Sequence, residues 1–136
     1  VKILAVDYGQ KNIGLALGDD QTRLAHPLRI LPHLSRAADC AAVLREATLQ
    51  QVERLIVGVS YDEQGSPNLA GRQSLHFVQA LQTQTSLPVL PWDETLTTQD
   101  ARAARLASGA RRKDRAGHLD ATAAALLLLD YLENLP

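Results

Sequence analysis

Cysteine occurs once in this chain, at Cys40, and methionine not at all. A lone cysteine excludes an intrachain disulfide and a thiolate metal cluster within one chain. It suits a reducing compartment, so a cytoplasmic location is expected. Long apolar runs are missing too. The longest, Ala123 to Leu129, is too short to cross a bilayer and leads into Asp130. The chain opens directly on an apolar strand, so neither a secretory leader nor a membrane partner is expected. A strong charge of one sign is also lacking. The formal net charge is −1, which carries no global basic signature of a nucleic-acid binder. The basic residues are nevertheless uneven. Arg102, Arg105, Arg111, Arg112, Lys113 and Arg115 fall in one short stretch, which reads either as a solvated surface or as a phosphate-binding loop.

What is present suits one domain over residues 1–136, with 46 % hydrophobic residues to form a core without staples. Lys2 to Val6 is continuously apolar, which predicts a central strand covered on both faces. Asp7-Tyr8-Gly9-Gln10 is turn-like, and Asn12 to Leu17 predicts a second, antiparallel strand. Leu24 to Leu31 predicts a third, with Pro27 and Pro32 marking a sheet edge. Strand and helix then alternate. Ser35 caps a helix to about Gln51, and Arg54 to Val59 forms a strand. Ser66-Pro67 opens a second helix, and Pro88 to Trp92 forms the last strand. Thr97 caps a third helix to about Ala107, and a fourth runs from about His118 to Leu132. The expected architecture is α/β. A mixed central five-stranded sheet joins an antiparallel three-stranded meander to two parallel strands, with helices on its flanks.

Three acids stand at element ends. Asp7 ends the first strand and Glu94 follows the last. Ligands in such sheets sit beyond the carboxyl ends of parallel strands. At about 100° per residue, Asp120 falls on the same helical arc as Ala124, Leu127, Leu128 and Tyr131. A carboxylate on a core-facing arc is costly unless paired, protonated or bound to metal. Each acid also has a plainer explanation. Asp7 can initiate a turn, Glu94 can precede a helix cap, and Asp120 can complement the dipole of the first turn of its helix. Jointly, the three carboxylates point to divalent metal. Hard oxygen donors suit Mg²⁺ or Mn²⁺, and two ions can clamp a scissile phosphodiester.

The blocks "ILAVDYGQKNIGLAL", "LIVGVSYDEQGSPN", "WDETLTT" and "HLDATAAALLLLDYLE" resemble, in order and spacing, the four blocks of the YqgF/RuvX family. The family is associated with Holliday junction resolution and with pre-16S ribosomal RNA processing. The resemblance implies an RNase H-like fold and a metal-dependent endonuclease acting on structured nucleic acid. It places the metal-binding and catalytic acids at Asp7, Glu94 and Asp120. It also makes Gly9, Lys11, Ser66 and Asn68 substrate-binding candidates, with Arg112, Lys113 and Arg115 supplying further positive charge. Two positions depart from the family pattern. Ser60 stands where proline is usual, and Thr95 where arginine is usual, which removes a bidentate phosphate contact.

Two other functions fit parts of the pattern. One is a nucleic-acid-binding module without catalysis. The other is a phosphotransferase of the actin and sugar-kinase type, suggested by Asp7-x-Gly9 followed by Gly14. Junction cleavage would call for a homodimer delivering two cuts, with the segment Leu24 to Leu31 as the candidate seam. His26, His33 and His76 have no partner at recognisable spacing and read as surface or packing residues. His118, two residues before Asp120, is open to a role at the site or at a helix start. Tyr8 reads as a packing residue with stacking on a base as the alternative, and Cys40 as inert core.

Overall fold

The computed structural model describes residues 1–94 and 112–136, with backbone alone for 112–120. Five strands form one sheet: β1 (Lys2–Tyr8), β2 (Asn12–Asp19), β3 (Leu24–Pro32), β4 (Arg54–Val59) and β5 (Val89–Asp93). Their spatial order is β3-β2-β1-β4-β5. The meander β1-β2-β3 is antiparallel, and β4 pairs parallel with both β1 and β5. The expected α/β architecture is therefore observed. So is the edge position of β3, where a register shift between Leu15 and Ala16 sits opposite Pro27 and absorbs the missing donor.

Helices α1 (Arg36–Leu49) and α2 (Leu69–Gln84) cover one face of the sheet, and α3 (Arg112–Glu133) covers the other. Strand β1 shows why its apolar run is continuous. Leu4 and Val6 join the layer with Val43, Phe77 and Leu81, whereas Ile3 and Ala5 join the layer with Ala124, Leu127 and Leu128. All four strand residues are fully buried. Each of the larger side chains contributes about 1.5–3 kcal/mol on burial.

The helix starts depart from the sequence reading at two places. Helix α2 is capped by Asn68, not Ser66. The Asn68 side chain accepts from the Gly71 N–H, while Pro67 pairs with Tyr61 in an isolated bridge. Ser66 does not open the helix because its carbonyl, which in a cap would accept the first helical bond, accepts instead from the Asp62 N–H at 2.7 Å. Helix α3 begins at Arg112 rather than near His118. Arginine, lysine and alanine are strong helix formers, and they carry the helix through Gly117. Arg112, Lys113 and Arg115 thus belong to a helix and not to a loop. Asp120 also lies beyond the first turn, so the dipole explanation for its position does not apply. The helix expected from Thr98 to about Ala107 lies outside the described residues. The cap of α1 is as expected, with Ser35 Oγ accepting from Ala38 N.

Candidate active site at the carboxyl rim of the sheet

Strand alternation assigns Asp7 its face. Ile3 and Ala5 face α3, so Asp7 shares that face, and Tyr8 packs on the opposite one. Across β2, Asp7 is paired with Gly14. Across β4, one register step past the Val6–Val57 pair brings Gly58 alongside. Asp7 therefore has a residue without a side chain on each flank.

Glu94 reaches the same place from β5. Trp92 lies in the α3 layer, and Glu94 follows it by two. The Glu94 N–H donates to the Val59 carbonyl at 3.1 Å, extending the β4–β5 ladder past its end. Its carboxylate lies over Gly58. A Cβ built on Gly58 would stand 2.6 Å from Glu94 Oε2 and 3.0 Å from Leu127 Cδ2. Glycine at 58 is thus what lets one acid fold back over the sheet towards the strand that carries the other. Trp92 holds this end of β5 to α3. Its indole N–H donates to Asp130 at 2.8 Å, and its ring meets Tyr131 edge-on at 5.1 Å.

Asp120 lies in α3 one turn before Ala124, which is fully buried on that same face. Ala124, Leu127, Leu128 and Tyr131 are all buried, as the periodicity requires, and Glu133 is exposed. The Asp120 side chain lies outside the described residues, as do those of Arg112, Lys113, Arg115 and His118. Thr95 lies outside them entirely.

The remaining candidates gather at the same end of the sheet. Gly9 and Lys11 form the β1–β2 turn, closed by the Gly9 N–H donating to the Asn12 carbonyl at 3.0 Å. Lys11 is exposed. Ser66 and Asn68 lie on the loop after β4. Asn68 Oδ1 accepts from the Ser60 hydroxyl at 2.7 Å and from the Gly71 N–H at 2.8 Å. Ser60, where the family pattern has proline, thus helps hold the α2 cap.

A second cluster, on the other face, was not legible as such in the sequence. Asp39, 1 % exposed, accepts from the Tyr8 hydroxyl at 2.9 Å and from the Leu34 N–H at 2.9 Å, and it pairs with His33 Nδ1. Tyr8 stacks on Phe77 with centroids 4.0 Å apart. Burial, then the bond to Asp39, hold the Tyr8 hydroxyl protonated well above the usual tyrosine range. Tyr8 is therefore a packing residue, as expected. Cys40 is fully buried, and its thiol is pushed up by burial and by neighbouring Asp39. The signal for this cluster was Asp39 itself, one helical turn from buried Val43 on the apolar side of α1.

The family model described as "RuvX: Holliday junction resolvase" matches residues 1–134. The chain belongs to the RuvX family. Among its relatives, an Anaeromyxobacter protein (strain Fw109-5) is 33 % identical over 133 residues, covering 98 % of this chain and 97 % of the relative. A Burkholderia thailandensis protein is 36 % identical over 134 residues, covering 98 % and 89 %. Both are named "Putative pre-16S rRNA nuclease". Among solved structures, T. thermophilus RuvC in complex with a Holliday junction substrate matches with a TM-score of 0.61 at 16 % identity, over 98 % of this chain and 97 % of that one. The fowlpox virus Holliday junction resolvase matches with a TM-score of 0.57 at 18 % identity, over 99 % and 100 %. At such identities the likeness is one of fold, and it makes this RuvX chain RNase H-like.

Proposed function

We propose that this RuvX chain is a divalent-metal-dependent endonuclease for structured nucleic acid, with Asp7, Glu94 and Asp120 as its metal-binding and catalytic acids. The observation that carries the reading is the cradle at Gly58. A carboxylate just past β5 is folded over a glycine beside the strand that carries Asp7, on the face that α3 closes. The donors are hard oxygens, and among the described residues no thiolate is near, so the residues fit Mg²⁺ or Mn²⁺. Bound there, one or two such ions supply Lewis acidity and a water activated for attack on a phosphodiester. The chain's own residues do the rest. Gly58 leaves room for Glu94 beside Asp7, Lys11 meets an adjacent phosphate from the β1–β2 turn, and the basic start of α3 attracts the strand. Ser66 and Asn68 shape the rim beyond β4.

The relatives' names favour the precursor of 16S ribosomal RNA as substrate, and the fold neighbours favour a four-way DNA junction. We take the ribosomal RNA precursor as the first candidate, acting in the cytoplasm. The decisive experiment incubates each labelled substrate with Mg²⁺, Mn²⁺ or chelator. Wild type cuts one of them with metal and not with chelator. Outer-shell changes at metal sites cost 10–100-fold, so Asp7→Asn, which removes a direct ligand, lowers cutting at least ~100-fold while binding persists. Binding without cutting by wild type in every metal returns the chain to a non-catalytic binding module. Stabilisation by ATP would instead favour a phosphotransferase. A homodimer is expected only if the junction is cut, and sedimentation at working concentration decides it.

A further inference from the structure

On the face opposite the acids, a cavity of about 300 Å³ opens beside Tyr8, Gln10, His33, Ser35, Arg36 and Gln73. Its wall carries a guanidinium, an imidazole and two carboxamides. Among the described residues no carboxylate lines it. Asp39, which bonds to the lining residues Tyr8 and His33, is itself buried and also accepts from the Leu34 N–H. A carboxylate accepts, so the His33 Nδ1 contact directs the ring's proton inward and fixes the imidazole's orientation. Arg36 has no ion pair among the described residues. Such a wall suits an anion with several acceptor oxygens.

Its location says which anion. Tyr8 follows Asp7 directly, so cavity and acids meet at one rim of the sheet. The His33 backbone N–H donates to the Lys11 carbonyl at 2.9 Å, tying the cavity to the turn that carries Lys11. We propose that this cavity binds a phosphate of the nucleic-acid strand next to the one being cut, with Arg36 as its charged contact and the carboxamide N–H groups of Gln10 and Gln73 as further donors, beside a His33 ring that Asp39 holds in place. The proposal rests on the reading of the chain as a nucleic-acid enzyme and adds the place where the flanking strand is held. Phosphate contacts of this kind fix register without reading sequence.

The test measures binding of the labelled ribosomal RNA precursor and of the DNA junction across a salt series, in the non-cutting Asp7→Asn protein. Adding Arg36→Ala weakens binding severalfold. It also lowers the slope of log K against log salt by about 0.7–0.9, the value for a single phosphate left without its cation. His33→Gln weakens binding and leaves most of that slope. Arg45→Ala, an exposed arginine further along α1, is the control and changes neither. An unchanged slope in Arg36→Ala, or an equal change in Arg45→Ala, overturns the proposal. So does a saturable shift of the His33 ring resonances with inorganic phosphate alongside an unchanged slope, since the cavity would then serve a free anion. The two readings fail separately. A lowered slope in a protein whose wild type never cuts keeps this inference and removes the nuclease. Cutting with an unchanged slope does the reverse.

Discussion

Gly58 carries no functional group, yet it decides where Glu94 can lie. Replacing it with alanine puts a methyl group 2.6 Å from Glu94 Oε2 and 3.0 Å from Leu127 Cδ2. The carboxylate is the softer neighbour and is displaced first. Gly58→Ala is therefore expected to lower metal-dependent cutting about tenfold or more with little change in melting temperature, read by a cleavage assay beside thermal denaturation. A large loss of stability with activity intact would show that Leu127 yields instead. Asp7, Glu94 and Asp120 could be singled out as candidates from the sequence because acids stand out where a strand ends or an apolar arc passes. Gly58 could not, since its meaning depends on a side chain thirty-six positions later. Tyr8 supports a second prediction. Its hydroxyl is held protonated by burial and by Asp39, whereas an unfolded chain ionises it near pH 10. Above that pH the unfolded state binds fewer protons, so this contribution to stability is complete below about pH 10 and declines as pH rises past it. Tyr8→Phe costs about 1 kcal/mol at pH 8 from the missing hydrogen bond. The gap between urea midpoints of wild type and variant should narrow from pH 8 to pH 11, and a constant gap counts against this account.

At the scale of elements, the strands were legible and two helix starts were not. Continuous apolar runs bounded by turns leave few alternatives for a strand. Helix starts are decided by small competitions. Ser66-Pro67 has the composition of a cap, but the Asp62 N–H takes the Ser66 carbonyl and a bridge takes Pro67, so Asn68 inherits the role. Asn68→Ala removes the acceptor for both the Gly71 N–H and the Ser60 hydroxyl. It should cost about 0.5–2 kcal/mol, or roughly 3–5 °C per kcal/mol in a domain this size. Asn68→Asp keeps an acceptor and should recover most of it. Full stability in Asn68→Ala would mean that the loop, rather than the cap, sets where α2 begins. The start of α3 is hidden for the opposite reason. A glycine and four charges suggest a loop, yet the flanking residues have strong helical preference and α3 is anchored downstream by fully buried Leu128 and nearly buried Leu132.

For the whole molecule, one sheet joins two apolar layers, and the strands that lead into the candidate acids belong to both. We therefore expect a single cooperative unfolding unit over residues 1–136, with calorimetric and van't Hoff enthalpies equal. A ratio well above one would split the chain into independent parts. The same arrangement distributes the two proposed tasks. Neighbouring residues of β1 serve opposite sides, Asp7 towards α3 and Tyr8 towards α1 and α2. This makes the first hairpin a ruler with a two-residue graduation. Inserting or deleting one residue between Ile3 and Asp7 exchanges the sides, sending the acid among the aromatic rings and the phenol to the edge that carries the candidate acids. Inserting two restores the sides but shifts the acid along the strand. The connection from Ser60 to Asn68, which sets no such parity, should tolerate changes of length that this hairpin cannot.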